Sequence, residues 1–400
     1  MKRSTFFASL LVGAALIAAA IPLMAQGRAG SNWYANPPIR LSALPQNTLA
    51  PTGILPRQFM AAYGFNRIPN QGAGQTIALV DAFDDPNIAS DLAFYANYFS
   101  FTPCNFQKVK VGNPSGNTNW GLEISLDVEQ ACALAPQANI LLVEANSNSF
   151  DDLIAAVNLA SSAPYNATVI SMSWGGGEDP SEVGLDSNFC NIVSGNGHPV
   201  TFFASSGDGG HGAEYPAASP CVIAVGGTTL TLAQANPLPS PLQLNYGHEN
   251  AWSSSGGGVS AFESQESWQN PACSTWSTTN RCIPDISSVA QNIPVYDTFG
   301  FGGWVNVAGT SISSPDWAAF FTLVNSLRAH QGKDTLSLGA SDLYQIYYSG
   351  NYASNFHDIT SGSNGGCGSQ CQAGPGYDLI TGAGTFQANV LVNSLVADTN

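Results

Sequence analysis

The sequence predicts an α/β protein in which helices flank a parallel sheet. From residue 74 onward, short stretches that are apolar throughout alternate with longer stretches of helical pattern. Such uninterrupted apolar runs are typical of strands that are buried on both faces. The chain has 400 residues, of which 44% are hydrophobic, so it can bury a substantial core within one large domain.

Five strands and four helices are predicted along this part of the chain. The predicted strands are Ile77–Val80, Ile140–Val143, Val169–Met172, Val200–Ala204 and Val222–Val225. The predicted helices are Pro86–Tyr98, Leu122–Leu134, Phe150–Ser162 and Pro315–His330. Asp85 suits the cap of the first helix, with Pro86 at its first position, and either Ser149 or Asp151 suits the cap of the third. The Ser-, Gly- and Asn-rich stretch 227–283 is expected to form surface loops.

The N-terminal residues indicate export. Residues 1–25 have the features of a signal peptide, because Lys2 and Arg3 precede an apolar run and Ala25 suits the cleavage site. An uncleaved membrane anchor is the alternative, and no later stretch is apolar enough to span a bilayer. Residues 26–55 are rich in Pro, Asn and Gly and lack periodicity, which predicts an extended leader or short pro-segment. A secreted, extracellular protein is therefore expected.

Charge and cysteine content narrow the function further. Only 11 residues are Lys or Arg, against 27 Asp or Glu, and the formal charge is −16. Nucleic-acid binding is disfavoured because phosphate contacts need basic patches. An acidic surface suits acidic surroundings, although ordinary extracellular solubility explains it equally well.

The eight cysteines predict disulfides in an exported chain, most readily the local loops Cys273–Cys282 and Cys367–Cys371. Zinc is disfavoured because no CxxC pair or His cluster is present.

The stretch "VAGTSISSPDWAAF" contains a candidate nucleophile. Ser311 follows a Gly-Thr turn at the entrance to an apolar helix, where free N–H groups favour negative charge. A serine hydroxyl is a weak nucleophile unless a base takes its proton, and histidine is the usual base. None of the five histidines lies in a Gly-His-Gly-Thr-like context, so each is interpreted as a surface or loop residue: His198, His211, His248, His330 and His357.

Three carboxylates are better candidates. Glu123 and Asp127 are spaced to stack on one helical face. A solvated acidic face is the usual meaning of that spacing, but this helix is otherwise largely apolar and follows a Trp-Gly turn. Asp208 follows a buried strand and a Gly turn, which places it at the carboxyl edge of the sheet, where α/β enzymes build their sites. A plain loop aspartate is the alternative.

Taken in order, these motifs resemble the sedolisin family of serine-carboxyl peptidases, a branch of the subtilisin-like fold. "GQTIALVDAF" resembles the family's first core strand, "GLEISLDVE" its Glu-x-x-x-Asp pair and "VISMSWGGGE" its substrate-lining strand. "ASSGDGG" resembles its third carboxylate, "GTSISSP" its nucleophile turn, and "HDITSGSNGG" with "AGPGYDLITGAG" its calcium loop. The similarity runs from about residue 50 to 395, which implies a peptidase domain over residues 56–400.

The resemblance implies a role for each matching residue. Ser311 would be the nucleophile, Glu123 the general base, Asp127 the residue that orients Glu123, and Asp208 a hydrogen-bond donor to the oxyanion. At acidic pH a histidine would be protonated, whereas a carboxylate can still accept a proton. Asp208 must instead keep its own proton, so burial should raise its pKa. The residues implied to pair with the substrate backbone are Ser173, Trp174 and Gly175, although core packing is the alternative for Trp174.

The resemblance also implies one structural Ca²⁺. Its expected ligands are the carboxylates of Asp358 and Asp378 and the backbone carbonyls of Ile359, Gly374 and Gly376. A plain Gly/Asp turn is the alternative. The family usually has a large N-terminal prodomain, whereas only residues 1–55 precede the peptidase-like region here. Either a short leader that suffices for folding or unaided folding is expected.

The expected function is therefore a monomeric, secreted endopeptidase that hydrolyses proteins at acidic pH, without nucleic-acid partners and without a membrane once the signal is removed. Two alternatives stay open. One is a His-based subtilisin-like peptidase that uses Asp81, Ser311 and an unplaced histidine. The other is a non-catalytic secreted binding protein on a peptidase scaffold.

Overall fold

A computed structural model describes residues 33–42, 48–102, 104–233, 245–337 and 339–398. The predicted signal peptide, residues 1–25, and the start of the predicted leader lie outside these ranges. The strands are β1 Arg40–Leu41, β2 Thr76–Ala82, β3 Asn105–Lys110, β4 Asn139–Ala145, β5 Val169–Met172, β6 Gly176–Gly177, β7 Thr201–Ser205, β8 Glu214–Tyr215, β9 Ile223–Ala233, β10 Asn245–Ala251, β11 Gly258–Ser264, β12 Asn280–Ile283, β13 Ile286–Val289, β14 Gln291–Asp297, β15 Gly303–Ala308, β16 Phe356–His357 and β17 Thr385–Phe386.

The helices alternate with these strands. They are α1 Pro56–Tyr63, α2 Ile88–Phe99, α3 Thr118–Leu134, α4 Phe150–Ser161, α5 Asn270–Cys273, α6 Thr310–His330, α7 Ala340–Tyr348, α8 Tyr352–Asn355 and α9 Ala388–Ala397. Short 3₁₀ turns occur at Phe65–Arg67, Glu182–Asn188 and Gly368–Cys371. In the described part of the chain, no helix is both long and apolar enough to cross a membrane.

The central sheet has seven parallel strands, of which the apolar runs predict five: β2, β4, β5, β7 and β9. Its order is β3-β4-β2-β5-β7-β9, and β13 also pairs with β9 in parallel. The eighth strand, β10, pairs antiparallel with the second half of β9. Side chains of a strand alternate between faces, and β2 shows the consequence: Ile77 and Leu79 enter the core beside α6, whereas Ala78 and Val80 enter the core beside α4. The α/β class is confirmed.

Each predicted strand is present, and the helices differ mainly at their first residues. α3 begins at Thr118, where the Asn117 side chain accepts two backbone N–H groups. The Ser149 side chain caps α4, and it was one of the two expected caps. The expected Asp85 cap is wrong, because α2 begins after Asn87 and Pro86 precedes the helix. The buried Asp85 carboxylate instead accepts the Asn87 N–H, at 2.8 Å, and so forms a turn before the helix.

The expectation of surface loops over residues 227–283 is also wrong. This stretch contains the second half of β9, strands β10 to β12 and the short α5. Strand β10 lies at the sheet edge and has polar side chains on its open face, so it lacks the apolar run by which the buried strands are predicted. The edge strand β3 escapes prediction for the same reason. Four disulfides join the eight cysteines, including both predicted local pairs: Cys104–Cys132, Cys190–Cys221, Cys273–Cys282 and Cys367–Cys371.

Candidate active site

The candidate nucleophile lies in the first turn of α6. Strand β15 ends at Ala308, Gly309 turns the chain with a φ of 154°, and the helix begins at Thr310. Few residues other than glycine adopt that φ. Ser311 is fully buried at this N-terminus, where unpaired N–H groups create a positive potential.

The carboxyl pair on α3 faces this turn. Glu123 and Asp127 have no solvent exposure, so the solvated-face interpretation of their spacing is wrong. The Ser173 hydroxyl, just after β5, donates to Asp127 Oδ1 at 2.8 Å and also contacts the Ser311 carbonyl at 3.3 Å. The Ser311 hydroxyl is close enough to Glu123 to favour its charged form, although the contact falls short of good hydrogen-bond geometry. Such contacts often tighten only when substrate binds.

Burial controls the ionisation of this pair. Loss of solvent raises the pKa of Glu123 well above its usual value, and the charge of Asp127 raises it further. Burial likewise raises the pKa of Asp127, while the Ser173 hydroxyl lowers it. Two buried carboxylates side by side cannot easily both be charged. The two groups therefore titrate as a unit, and burial makes the second negative charge much harder to form than the first.

A fourth carboxylate, Asp81, lies behind the pair at the end of β2. It has no solvent exposure, and neither of its oxygens has a hydrogen-bond partner. Burial first, and then the charge of Glu144, raise the pKa of Asp81 to about 8. Asp81 is therefore neutral in acid. Its charged form would raise the pKa of both Glu123 and Asp127.

Asp208 lies at the same helix N-terminus. Its Oδ1 atom accepts the Thr310 N–H at 2.9 Å and contacts the Thr310 hydroxyl at 3.1 Å. Its Oδ2 atom lies 3.7 Å from Arg40 Nε and has no hydrogen bond. Burial raises the pKa of Asp208 to about 7, even though the Thr310 N–H and the Arg40 charge lower it. The Asp208 carboxyl therefore keeps its proton at acidic pH. The sequence analysis expects this raised pKa.

The predicted substrate-lining residues behave differently from one another. Ser173 contacts Asp127 and Ser311, as described above. The Trp174 side chain is fully buried and its indole donates to the Val80 carbonyl at 2.8 Å, so that side chain belongs to the core. Gly175 forms two backbone hydrogen bonds with Asn36, at 2.9 and 3.2 Å. Gly175 thus lies on an edge that pairs with an extended segment.

That extended segment comes from the N-terminal part of the chain. Residues 33–42, here called the cleft segment, run past Gly175 and Asp208 and then pair with β15 through β1. Residues 33–42 of the predicted leader are therefore extended and packed against the candidate site.

Comparison with known proteins fits this geometry. Residues 115–347 match the model of the subtilase family. The chain belongs to the subtilase family. Within it, this subtilase is a member of the sedolisin family: it is 30% identical to kumamolisin from Bacillus sp. (strain MN-32) over 362 residues, which cover 84% of this chain and 62% of kumamolisin. It is 27% identical to tripeptidyl-peptidase 1 from Dictyostelium discoideum over 76% of this chain and 52% of that protein. The chain thus spans roughly half to two thirds of the length of these relatives.

A solved structure supports the same assignment. Pseudomonas sedolisin, a serine-carboxyl proteinase complexed with two molecules of pseudo-iodotyrostatin, superposes with a TM-score of 0.74 at 26% identity, over 86% of this chain and 98% of that one. The subtilisin-like fold of this subtilase is therefore confirmed.

The histidines of this subtilase make their contacts elsewhere. His198 Nδ1 lies 2.6 Å from Asp334, His357 stacks on Tyr246, His248 is on the edge strand β10, and His330 ends α6. His211 lies near the Cys367–Cys371 disulfide. Among the described contacts of Ser311, Glu123 and Asp208, none involves a histidine. The His-based alternative therefore lacks its base.

Two of the predicted calcium ligands, Asp358 and Asp378, contact one Gly-rich loop near the C-terminus. The Gly376 N–H donates to both Asp358 carboxylate oxygens, at 3.0 and 3.1 Å. The Gly374 N–H donates to Asp378 Oδ2 at 3.1 Å. Two carboxylates therefore converge on one Gly-rich loop. Because carboxylate and carbonyl oxygens are the ligands that Ca²⁺ prefers, the residues present fit such an ion.

Sequence reasoning missed several residues of the site. The sequence assigns no role to Thr310 or Arg40, and it gives Asp81 a role only in the His-based alternative. Asp81 does carry a signal, because a charged residue at the end of an apolar strand marks the carboxyl edge of a sheet. Arg40 carries none, because its position depends on the path of the extended segment.

Proposed function

We propose that this subtilase is a secreted serine-carboxyl endopeptidase that hydrolyses proteins at acidic pH. One observation carries the proposal: Ser311, in the first turn of α6, faces a buried carboxyl pair rather than a histidine. The negative charge of that pair can accept the serine proton at a pH where an ordinary histidine is already protonated. Its substrates are therefore proteins or peptides, cut without a metal in the reaction.

In the proposed reaction, Ser311 Oγ bonds to the substrate carbonyl carbon while its proton moves to the Glu123–Asp127 pair. The same proton then passes to the leaving nitrogen as the C–N bond breaks, which leaves an ester on Ser311. Water attacks this ester, gives a proton to the pair and releases the acid, and the proton returns to Ser311. Ser173 holds Asp127, and so positions the pair.

Asp208 has the role of a hydrogen-bond donor in the same reaction. The Oδ2 atom of its neutral carboxyl can donate to the developing oxyanion, next to the free N–H groups of α6. The pKa of about 7 keeps that proton in place in acid. Base and donor thus need opposite protonation states within one site, so their environments must push the two pKa values apart.

Endopeptidase rather than tripeptidyl-peptidase activity is favoured by the length of the cleft. The Asn36 backbone pairs with Gly175, and the segment continues upstream through Ala35 and Tyr34, the latter paired with Ser149. A cleft that takes an extended chain in this way does not require a free amino terminus near Gly175. Structural Ca²⁺ at the C-terminal loop and secretion are parts of the same proposal.

The proposal is tested by the digestion of casein between pH 3 and 8. Ser311→Ala should lower turnover by about 10⁶-fold, and Glu123→Gln by about 10²–10⁴-fold. Ser313→Ala is the matched control on the same helix, because the Ser313 hydroxyl donates to the Ser288 carbonyl of β13; this variant should keep the rate within a fewfold. A Ser311→Ala protein that keeps most of the wild-type rate would rule out this mechanism, and absence of any digestion would favour a binding protein.

A further inference from the structure

The nucleophile helix α6 carries a buried acid that the proposed reaction does not use. Asp316 lies five residues after Ser311 and has no solvent exposure. Its Oδ1 atom accepts the Gln130 side-chain N–H at 2.8 Å, and its Oδ2 atom lies 2.7 Å from the Ser288 hydroxyl. None of the ion pairs found among the described residues includes Asp316. The carboxyl is therefore satisfied by two neutral hydrogen-bond partners, as a buried polar group requires.

The environment of Asp316 favours its neutral form. Burial raises the pKa of this carboxyl well above its usual value, although the contacts with Gln130 and Ser288 lower it. The acid is thus protonated at the acidic pH proposed for the reaction. In that form Oδ1 accepts the Gln130 N–H, while the Oδ2 hydroxyl can donate to Ser288 Oγ. An asparagine in this place would reproduce both hydrogen bonds.

The partner of Asp316 on α3 lies on the face that carries the carboxyl pair. Glu123, Asp127 and Gln130 follow one another at the i, i+4 and i+7 spacing of one helical face. Gln130 is almost fully buried there. The bond between Gln130 and Asp316 therefore joins the functional face of α3 directly to α6.

This bond is close to the reacting groups on both helices. On α3, Gln130 is seven residues beyond Glu123, a distance of about 10 Å along the helix axis. On α6, Asp316 is five residues beyond Ser311, a distance of about 8 Å. A displacement of one helix against the other at this bond would reach Glu123 and Ser311 almost undiminished, because a helix is stiff over two turns.

The surrounding contact between α3 and α6 is largely apolar. Ile124 and Ala131 of α3 belong to the same core cluster as Phe320 of α6. Apolar burial is not directional, whereas a hydrogen bond prefers a narrow range of distance and angle. Precision matters here, because a misplacement of about 1 Å between reacting groups can lower a rate about 10²-fold. A directional bond at this contact thus supplies what apolar packing does not.

We propose that Asp316 is a positioning residue: through its hydrogen bond to Gln130 it holds α3, which carries the Glu123–Asp127 pair, in register with α6, which carries Ser311. Ser288 keeps the Asp316 carboxyl turned in the orientation that this bond needs. The effect on rate rests on the proposed peptidase function, whereas the register of the two helices can be measured without catalysis.

The first experiment compares steady-state kinetics on a quenched fluorescent peptide at pH 5. Asp316→Leu removes both hydrogen bonds, so kcat should fall about 10–100-fold. KM should stay within about threefold, because the backbone edge at Gly175 is untouched. Asp316→Asn should keep kcat within about threefold, since it retains both bonds. Ser313→Ala is the matched control on the same helix, because its hydroxyl bonds the Ser288 carbonyl and not α3.

A double variant separates positioning from stability. Asp316→Leu leaves the Gln130 amide buried without its partner, which should also lower the melting temperature. Adding Gln130→Met replaces both partners by apolar side chains, so the melting temperature should recover. The value of kcat should stay low, because the directional bond is still missing. If kcat recovers together with the melting temperature, or if Asp316→Leu has the wild-type kcat, Asp316 is not a positioning residue.

Crystal structures of the wild type and of Asp316→Leu provide a measurement that needs no turnover. The distance between Ser311 Oγ and the Glu123 carboxyl should change by about 0.5–1 Å in the variant. Superposable helices in the two proteins would overturn the positioning role and leave the peptidase proposal intact. A changed register in a protein whose wild type hydrolyses nothing would contradict the peptidase and retain the role of Asp316 in holding the two helices.

Discussion

The two oxygens of Asp208 have different surroundings. Oδ1 is occupied by the N–H and hydroxyl of Thr310, whereas Oδ2 has only the Arg40 cation beside it. The proton of the neutral acid therefore belongs on Oδ2, which is free to donate. Arg40 lowers the pKa of Asp208 and Glu214 raises it, against a background in which burial is the largest effect.

Activity should therefore fall as pH rises through about 7, because Asp208 then loses its proton. Asp208→Asn should be slower by about 10²–10³-fold, and its alkaline limb should flatten because an amide does not ionise. The measurement is kcat/KM against pH from 3 to 9. Glu214→Gln is a second test. Removing the negative charge of Glu214 should lower the pKa of Asp208 and so move the alkaline limb of the pH profile to lower pH. An unchanged limb in Asp208→Asn would assign it to another group.

At the scale of single elements, α6 shows how the nucleophile is supported. The helix begins at Thr310, five residues before the predicted start at Pro315. Proline has no N–H, so Pro315 cannot bond the carbonyl four residues back, which is that of Ser311. The Ser173 hydroxyl contacts this carbonyl instead, at 3.3 Å. Because of Pro315, the Ser311 carbonyl can accept the Ser173 hydroxyl, and this contact connects the end of β5 to the nucleophile turn.

The same helix marks what sequence can and cannot predict. Five buried strands were predictable because an apolar run is a local feature, and Asp208 and Ser311 were predictable because each lies in a short local motif. The start of α6 was missed because Pro315 imitates a first-turn proline. Strand β10 was missed because an edge strand needs no apolar run. Arg40 was out of reach, because it meets Asp208 only through a contact between residues far apart in the chain.

The loop that joins Asp358 to Asp378 is the element on which the calcium proposal rests. Because an ion bound only by the folded state stabilises it, exhaustive chelation should lower the melting temperature by several degrees, and added Ca²⁺ should restore it. Asp358 is exposed and accepts the Gly376 N–H. Asp358→Asn removes one charged ligand, so the melting temperature of this variant should no longer respond to chelation. Asp334→Asn, an exposed carboxylate paired with His198, should respond like wild type. A wild-type protein indifferent to chelation would remove the ion.

For the whole molecule, buried acid groups are more consequential than the net charge of −16. Beyond the active site, Glu182 and Glu263 are almost fully buried beside Glu178 and Asp186. Burial, and then the neighbouring carboxylates, raise the pKa of Glu182 and of Glu263 to about 8 each. Such groups fold more favourably in their protonated state, so acid favours the native structure.

The sign of the pH dependence follows from these shifts. A folded-state pKa above the unfolded value of about 4.3 gives stability that is fully present below that value. This stability is lost as pH rises through the folded-state pKa of about 8. The melting temperature should therefore be highest in acid and fall between about pH 5 and 8, and mutual repulsion of the ionised surface acts in the same direction.

Calorimetry of Ser311→Ala protein between pH 4 and 8 tests this without self-digestion. Adding Glu182→Gln and Glu263→Gln removes two titrating groups while an amide oxygen remains to accept the Asp179 N–H that Glu182 now binds. The fall in melting temperature across this range should become shallower. Glu266→Gln, an exposed carboxylate nearby, should leave the slope as it is. If the double variant loses stability as steeply as its parent, the pH dependence arises from other groups, of which the Glu123–Asp127 pair and Asp81 are the next candidates because burial raises the pKa of each.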